Sequence, residues 1–277
     1  MIPLKDNIPT MRFPIVTVVL IAINVAFFVW LLSASGESGS ATAPALERAG
    51  ASERDQLNFE YGAIPAEVLH PGEYCAPTDV EHGEIVDTCG SRDEVERESG
   101  LEQAPWWVTL LTSMFMHGGI LHIAFNMLFL WVFGNNIEDA MGKPRFIAFY
   151  LLAGIFAIYA QSLFSPDSTV PQIGASGAVA GVLGGYALLH PRAQVLTLIF
   201  IIFFVTIVEI PAMIMLGIWF VLQFIPAVAD VATPDVGEEG GVAYLAHVGG
   251  FVFGLALVKL FAHRRQEDPP SSPHPAY

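Results

Sequence analysis

The chain has 277 residues, of which 53% are hydrophobic and only 14% are charged, whereas soluble domains carry about 25% charged residues. This deficit, with several apolar runs near the roughly 20 residues that cross a bilayer, indicates a polytopic membrane protein. The net charge of −15 is mostly local, because residues 33–105 hold sixteen acidic and four basic residues, which is −12 of the −15. The sequence contains no basic patch of the kind that nucleic-acid binding needs.

The first apolar run, residues 13–32, follows Lys5 and Arg12. It is longer than the roughly 7–15 residues of a signal-peptide core. We therefore interpret it as a first membrane span, with cleavage near the small residues 40–45 as the alternative. Residues 1–33 then form a cytoplasmic N-terminus and the first transmembrane helix.

A long acidic loop is predicted at residues 34–105, on the extracytoplasmic side. It contains both cysteines of the chain, Cys75 and Cys89, and an oxidising compartment would allow them to form a disulfide. Two free thiols are the alternative, and the spacing excludes a CxxC metal site. The polar residues 89–100 are expected to be only locally ordered.

Five further spans are predicted, and they are 106–133, 146–164, 174–190, 210–228 and 242–262. The sequence therefore predicts an all-α membrane protein, a bundle of six transmembrane helices in the cell membrane with residues 106–262 as its core. The apolar residues 195–209 are expected at the cytoplasmic interface or only partly inserted. Lysines and arginines fall on alternate connections, which places both termini in the cytoplasm, with residues 263–277 as a disordered tail.

Four polar side chains lie within the predicted spans: His122, Asn126, Ser176 and His247. Such residues are costly in a bilayer and usually serve a function. Counted along their helices, the serine and both histidines lie roughly 22–25 Å above the cytoplasmic end. We therefore expect one polar site a few ångström below the outer face. Taken singly, each has a structural alternative, because serine can bond its own helix and histidine or asparagine can pair between helices.

Glycines accompany two of these polar residues. The fourth span carries a GxxxG pattern at Gly177 and Gly181, and the sixth carries another at Gly250 and Gly254. Small residues four positions apart let two helix backbones approach closely. We therefore expect these two spans to touch, which would bring the serine and the sixth-span histidine within hydrogen-bond distance.

A serine beside a histidine is an activated nucleophile, because the imidazole takes the hydroxyl proton during attack and returns it to the leaving amine. No carboxylate lies near His247 in its span, so the sequence predicts a dyad with Ser176. Acyl transfer also needs hydrogen-bond donors for the developing oxyanion. The candidates are the Asn126 amide, the His122 ring and the backbone N–H of Ser176 at a helix N-terminus.

Three motifs occur in order along the chain: HIAFN at 122–126, GASGAVAG at 174–181 and AHVGGFVFG at 246–254. Together they resemble the rhomboid intramembrane serine proteases, over roughly residues 105–262. The resemblance implies a six-helix catalytic core that cleaves single-pass transmembrane proteins near their extracytoplasmic ends within the lipid bilayer. The residues themselves indicate no cofactor and no bound metal.

By this resemblance Ser176 is the nucleophile, His247 is the base, and Asn126 and His122 are the oxyanion donors. Some rhomboids place a tyrosine four residues after the nucleophile, stacked on the catalytic histidine, but Ala180 stands there in this chain. The Trp-Arg pair that the family often carries in its first loop is absent as well.

The fifth span resembles the lateral gate proposed for the family, with Trp219 expected beside Phe125 of the second span. Two other classes of function stay open. One is a non-catalytic rhomboid-like protein that binds membrane clients, although such proteins usually lack the serine or the histidine. The other is a transporter or haem protein that uses His122 and His247 as ligands, which would leave the serine and the asparagine unexplained.

Overall fold

The computed structural model describes residues 1–34, 43–48, 51–81, 84–201, 204–232 and 242–263. Apart from its first residue, the tail predicted at 263–277 lies outside the described residues. The chain is mostly helical, and two small antiparallel sheets accompany the helices.

The helices of the described ranges are α1 Ile15–Ala34, α2 Pro44–Arg48, α3 Glu53–Tyr61, α4 Pro65–Leu69, α5 Arg92–Ser99, α6 Trp106–Thr112, α7 Ile120–Met141, α8 Lys143–Phe164, α9 Ser176–Leu189, α10 Ala212–Ala232 and α11 Tyr244–Phe261. The strands are β1 Ile2–Asp6, β2 Tyr74–Glu81, β3 Glu84–Gly90, β4 Gln194–Ile201 and β5 Phe204–Pro211. A short 3-10 turn at Ser113–Phe115 follows α6.

Five helices, α1, α7, α8, α10 and α11, are long and apolar enough to cross a membrane. The predicted fourth span differs from them, because α9 has 14 residues and is therefore only about 21 Å long. It lies at the centre of the bundle, packed by α7, α8 and α11, and every residue from Gly177 to Ala187 is buried. Small residues suit this position, since three helices surround them.

The predicted second span, 106–133, is wrong in its limits. The chain breaks after α6 and the 3-10 turn, and α7 begins at Ile120, after Gly119 in extended conformation, and continues to Met141. The polar residues at the end of α7 stay within the helix because their side chains form hydrogen bonds with other parts of the chain. Glu138 is 4% exposed and accepts hydrogen bonds from the backbone N–H groups of Val16 and Thr17 at the start of α1, where a carboxylate is favoured.

The expectation of an all-α protein is also wrong in part, because the apolar residues 195–209 lie mostly in strands. β4 and β5 pair as an antiparallel hairpin, and β1 pairs with β4, giving the order β1-β4-β5. Val, Ile, Thr and Phe favour strands, and a short apolar run does not by itself distinguish a strand from a buried helix. Two side chains of the hairpin, Val205 and Ile207, are exposed.

The acidic region predicted as a loop folds into a compact unit, which we call the cap and define as the described residues of 43–104. Short helices pack around the β2–β3 hairpin, and Leu46, Val95 and Leu101 are buried at its centre. Cys75 and Cys89 form a disulfide, which is one of the two alternatives that the sequence leaves open. The cap is thus held by a crosslink and a small core of its own.

The two ends of the bundle carry different structures. One, the sheet end, holds β1, β4 and β5, the connection between α7 and α8, and the end of α11, where the His263 N–H bonds the Ala140 carbonyl. The other, the cap end, holds the cap and residues 165–175, joined where Ala63 pairs with Gln172. The connections predicted to be cytoplasmic therefore gather at the sheet end.

Helices α9 and α11 are in direct backbone contact, as the glycine pattern predicts. A Cβ on Gly250 would lie 2.1 Å from the carbonyl oxygen of Gly177, and one on Gly254 would lie 2.0 Å from that of Gly181. Any side chain at these positions would overlap main-chain atoms of the facing helix, so the two helices could not stay where they are.

We expect Gly254→Ala to lower the free energy of unfolding by at least ~2 kcal/mol, because its methyl group overpacks the interface. Gly217→Ala in α10 is the matched control, since nothing lies within 4 Å of its Cβ position and alanine favours helix. Thermal unfolding of both variants in detergent measures the difference. Equal melting temperatures would contradict the proposed contact.

A buried polar cluster joins the sheet end to the helices. One carboxylate oxygen of Asp6 in β1 accepts hydrogen bonds from the Tyr186 hydroxyl at 2.5 Å and from the Asn136 amide at 2.6 Å. Burial is the largest influence on this carboxyl, and it raises the pKa of Asp6 to about 6 from an ordinary value of about 3.9.

The raised pKa of Asp6 predicts a pH-dependent stability. Between about pH 4 and 6 the folded chain keeps a proton that the unfolded chain releases, so the free energy of unfolding falls as the pH rises, by up to ~3 kcal/mol. Asp6→Asn removes this titration and should flatten the curve by that amount. Thermal unfolding of both proteins between pH 3.5 and 7.5 measures it, and identical slopes would contradict the assignment.

Candidate active site

Ser176 is the first residue of α9. The residues before it are non-helical, and Gly174 has a φ of +128°, in a region that side chains rarely adopt. This turn starts the helix within the bundle, at its cap end. The serine hydroxyl therefore sits at a helix N-terminus, where backbone N–H groups lack partners within the helix.

His247 lies in the first turn of α11 and faces the serine. Its Nε2 is 2.8 Å from the Ser176 hydroxyl oxygen, which is hydrogen-bond distance. The start of α11 is capped by Gln161 of α8, whose side-chain oxygen accepts hydrogen bonds from the backbone N–H groups of Leu245 and Ala246. This cap fixes the helix turn that carries the imidazole.

The second ring nitrogen of His247 also has a partner, which the sequence did not reveal. Nδ1 lies 2.7 Å from the side-chain oxygen of Gln223 in α10. The sequence indicated only that Gln223 is a lone amide within an apolar helix, and such a residue is costly in a bilayer. No pattern in the sequence indicated which histidine it would meet.

The two predicted oxyanion donors lie on α7. Asn126 is 6% exposed. Its amide nitrogen donates one hydrogen bond to the His122 carbonyl at 3.0 Å. Because an amide nitrogen carries two N–H groups, a second N–H is available as a donor. His122 reaches toward the serine around Gly174. A Cβ at that glycine would lie 2.8 Å from the His122 Nε2 and 3.5 Å from the Ser176 hydroxyl oxygen.

A further histidine, His117, supports this side of the site. It is fully buried, and its ring meets the His122 ring edge-on with centroids 5.1 Å apart. Its Nε2 lies 3.5 Å from the backbone nitrogen of Ala175. Its role was not evident from the sequence, in which the one indication was the position of His117 directly before the paired glycines that precede α7.

Trp219 of α10 lies beside the His247 ring. Its ring centroid is 6.1 Å from that of His247 and 6.5 Å from that of Phe129. The aromatic neighbour found on α7 is thus Phe129, one helical turn from the predicted Phe125, which is 42% exposed. The tilted Trp219 ring therefore flanks the imidazole, and Phe129 lies on the Trp219 ring.

A cavity of about 480 Å³ reaches His122 from the cap end. Its walls include Gln161, Ser168 and Gln172, and polar atoms contribute much of its surface. Such a cavity is large and polar enough to hold water. Within the described ranges, no group of three or more His, Cys, Asp or Glu side chains converges as a metal site would.

Comparison with known proteins identifies relatives of this chain. The sequence model of the Rhomboid domain matches residues 104–264. Rhomboid protease GluP of Bacillus subtilis (strain 168) is 37% identical over 164 residues, which cover 58% of this chain and 28% of that protein. Rhomboid protein 1, mitochondrial, of Saccharomyces cerevisiae is 31% identical over 152 residues, 53% of this chain and 40% of that protein. The chain thus spans less than half of either relative.

We expect Gly174→Ala to slow the reaction of Ser176 with a serine-directed fluorophosphonate about 10²-fold, as small misplacements at reacting groups do. The methyl group would strain the backbone and displace His122. Gly118→Ala is the control, because the nearest atom to its Cβ position is 3.7 Å away. Equal labelling rates for the two variants would contradict the predicted geometry.

Proposed function

The chain belongs to the rhomboid family, and from this membership and the geometry around Ser176 we propose that it is an intramembrane serine endopeptidase. The observation that carries the proposal is the 2.8 Å contact between the serine hydroxyl and His247 Nε2. A hydroxyl needs such a base to become a nucleophile near neutral pH.

The proposed reaction proceeds through an acyl-enzyme. His247 Nε2 takes the Ser176 hydroxyl proton as the oxygen attacks the scissile carbonyl carbon, which gives a tetrahedral intermediate. The same proton passes to the leaving amine as the peptide C–N bond breaks. A water molecule then attacks the ester with His247 as base, and the second product leaves with a carboxylate. The cavity beside His122 is a route for this water.

The negative charge on the tetrahedral intermediate is stabilised by donors around Ser176. In this proposal they are the second N–H of the Asn126 amide, a ring N–H of His122 and the backbone N–H of Ser176. All three belong to the elements that meet at Gly174. Preorganised donors of this kind contribute on the order of 10²–10³-fold to kcat.

The substrates we propose are single-pass transmembrane proteins, cut near their extracytoplasmic ends. This follows from the position of Ser176, which lies toward the cap end of a bundle whose outer helices are apolar. The disulfide in the cap fits an oxidising compartment on that side, and the basic residues at the sheet end fit the cytoplasmic side of a cell membrane. Both termini are then cytoplasmic.

The proposed organisation has six spans if α9 is counted as the fourth, although it is too short to cross the bilayer alone. Residues 1–33 supply the first, 34–105 the extracytoplasmic region and 106–262 the catalytic core. Single-pass partners would reach the serine from the lipid beside α10, where Trp219 flanks the histidine.

The haem or transporter alternative is less well supported, because both ring nitrogens of His247 are engaged by Ser176 and Gln223. A metal-ligating histidine needs one free nitrogen. The non-catalytic alternative shares the same geometry, so only activity separates it from the protease.

We expect Ser176→Ala to lower cleavage of a reporter transmembrane substrate in proteoliposomes by at least ~10³-fold, as loss of a serine nucleophile does elsewhere. Ser113→Ala is the matched control. Ser113 is also buried, and within the described residues its hydroxyl has no hydrogen-bond partner. Cleavage that persists in the Ser176 variant would end the catalytic assignment, and loss in both variants would point to misfolding.

A further inference from the structure

Gln223 holds the side of His247 that faces away from the serine. Its side-chain oxygen lies 2.7 Å from the His247 Nδ1, while Nε2 of the same ring lies 2.8 Å from the Ser176 hydroxyl oxygen. We propose that Gln223 is a positioning residue that fixes the tautomer and orientation of His247. The proposal rests on the proposed protease function of Ser176 and His247.

The chemistry of the amide makes this contact selective. The carboxamide oxygen only accepts hydrogen bonds, so the nitrogen facing it must carry the ring proton. A neutral imidazole has one such proton. When Nδ1 carries it, Nε2 presents a lone pair to the serine hydroxyl, as a general base must. With the amide oxygen facing the ring as it does here, the opposite tautomer would set two lone pairs against each other, and it would leave Nε2 unable to take the proton; it would require the amide to turn its NH2 group toward Nδ1.

The surroundings of Gln223 favour this role over simple packing. Its helix neighbours Val221, Leu222 and Phe224 are 46–58% exposed, so this part of α10 has an outward apolar face, whereas Gln223 is half-buried and points to α11. An amide in such a helix is costly unless it is satisfied, and the imidazole satisfies it.

The contact also links the site to the position of α10. Ser176 and His247 lie on α9 and α11, which glycines hold in backbone contact, whereas Gln223 comes from a third helix. The tautomer is therefore fixed only while α10 packs against α11. A displacement of α10 that admitted a substrate would release Nδ1, and return of the helix would restore the basic Nε2.

Three variants test the proposal with the reporter substrate. Gln223→Leu removes the acceptor and keeps an apolar volume, so we expect kcat to fall about 10- to 100-fold, as loss of a histidine-orienting partner does at other sites, with KM unchanged. Gln223→Glu keeps a carboxylate oxygen as acceptor and should restore kcat to within a few-fold of wild type. Leu152→Ala, on the outward face of α8, should leave both constants unchanged.

Nitrogen NMR of histidine-labelled protein, assigned by the loss of signals in His247→Ala, reads the tautomer without any catalysis. We expect a protonated Nδ1 and an unprotonated Nε2 in wild type and in Gln223→Glu, and mixed tautomers in Gln223→Leu.

The proposal is overturned if the wild-type proton resides on Nε2, or if Gln223→Leu retains both kcat and the wild-type spectrum at an unchanged melting temperature. Either result leaves the protease function standing, provided that Ser176→Ala is inactive. Conversely, if Ser176→Ala still cleaves the substrate, the function falls, while the spectra still decide what Gln223 does to the ring.

Discussion

The contact between the backbones of α9 and α11 is the constraint on which the rest of the site depends. A Cβ on Gly184, Gly250 or Gly254 would lie 2.0–2.1 Å from a main-chain oxygen of the facing helix, which leaves no room for a methyl group. This closeness allows a short serine side chain on one helix to meet an imidazole on the other at 2.8 Å. Van der Waals packing of small residues, which is a main driving force between helices in lipid, thus sets the geometry of the polar pair.

Polar contacts at the two ends of the bundle complement this apolar centre. At the sheet end, Glu138 satisfies the first N–H groups of α1, and Asp6 ties β1 to α7 and α9. At the cap end, Gln161 satisfies the first N–H groups of α11. Each of these side chains provides a hydrogen-bond partner that lipid could not provide. The serine and the histidine are therefore held by helices that are fixed at their termini as well as along their lengths.

Much of this arrangement could be predicted from the sequence, and the limits have physical causes. The glycines lie at helical spacing from Ser176 in one helix and from His247 in the other, so the sequence alone showed which helix face carries each residue. The contact of Gln223 with His247 could not be predicted, because it depends on how α10 is rotated against α11. An almost uniformly apolar helix gives no indication of that rotation. The hairpin at 195–209 was missed because its apolar run has no decisive period. The end of α7 was misplaced because Glu138 bonds residues about 120 positions away.

A structure of the protein determined in lipid nanodiscs, without inhibitor, tests the central claim most directly. We expect the Ser176 hydroxyl oxygen to lie about 2.8 Å from His247 Nε2, with α9 and α11 in contact through their glycines. A separation beyond about 3.5 Å, outside hydrogen-bond range, or either side chain turned toward lipid, would contradict it.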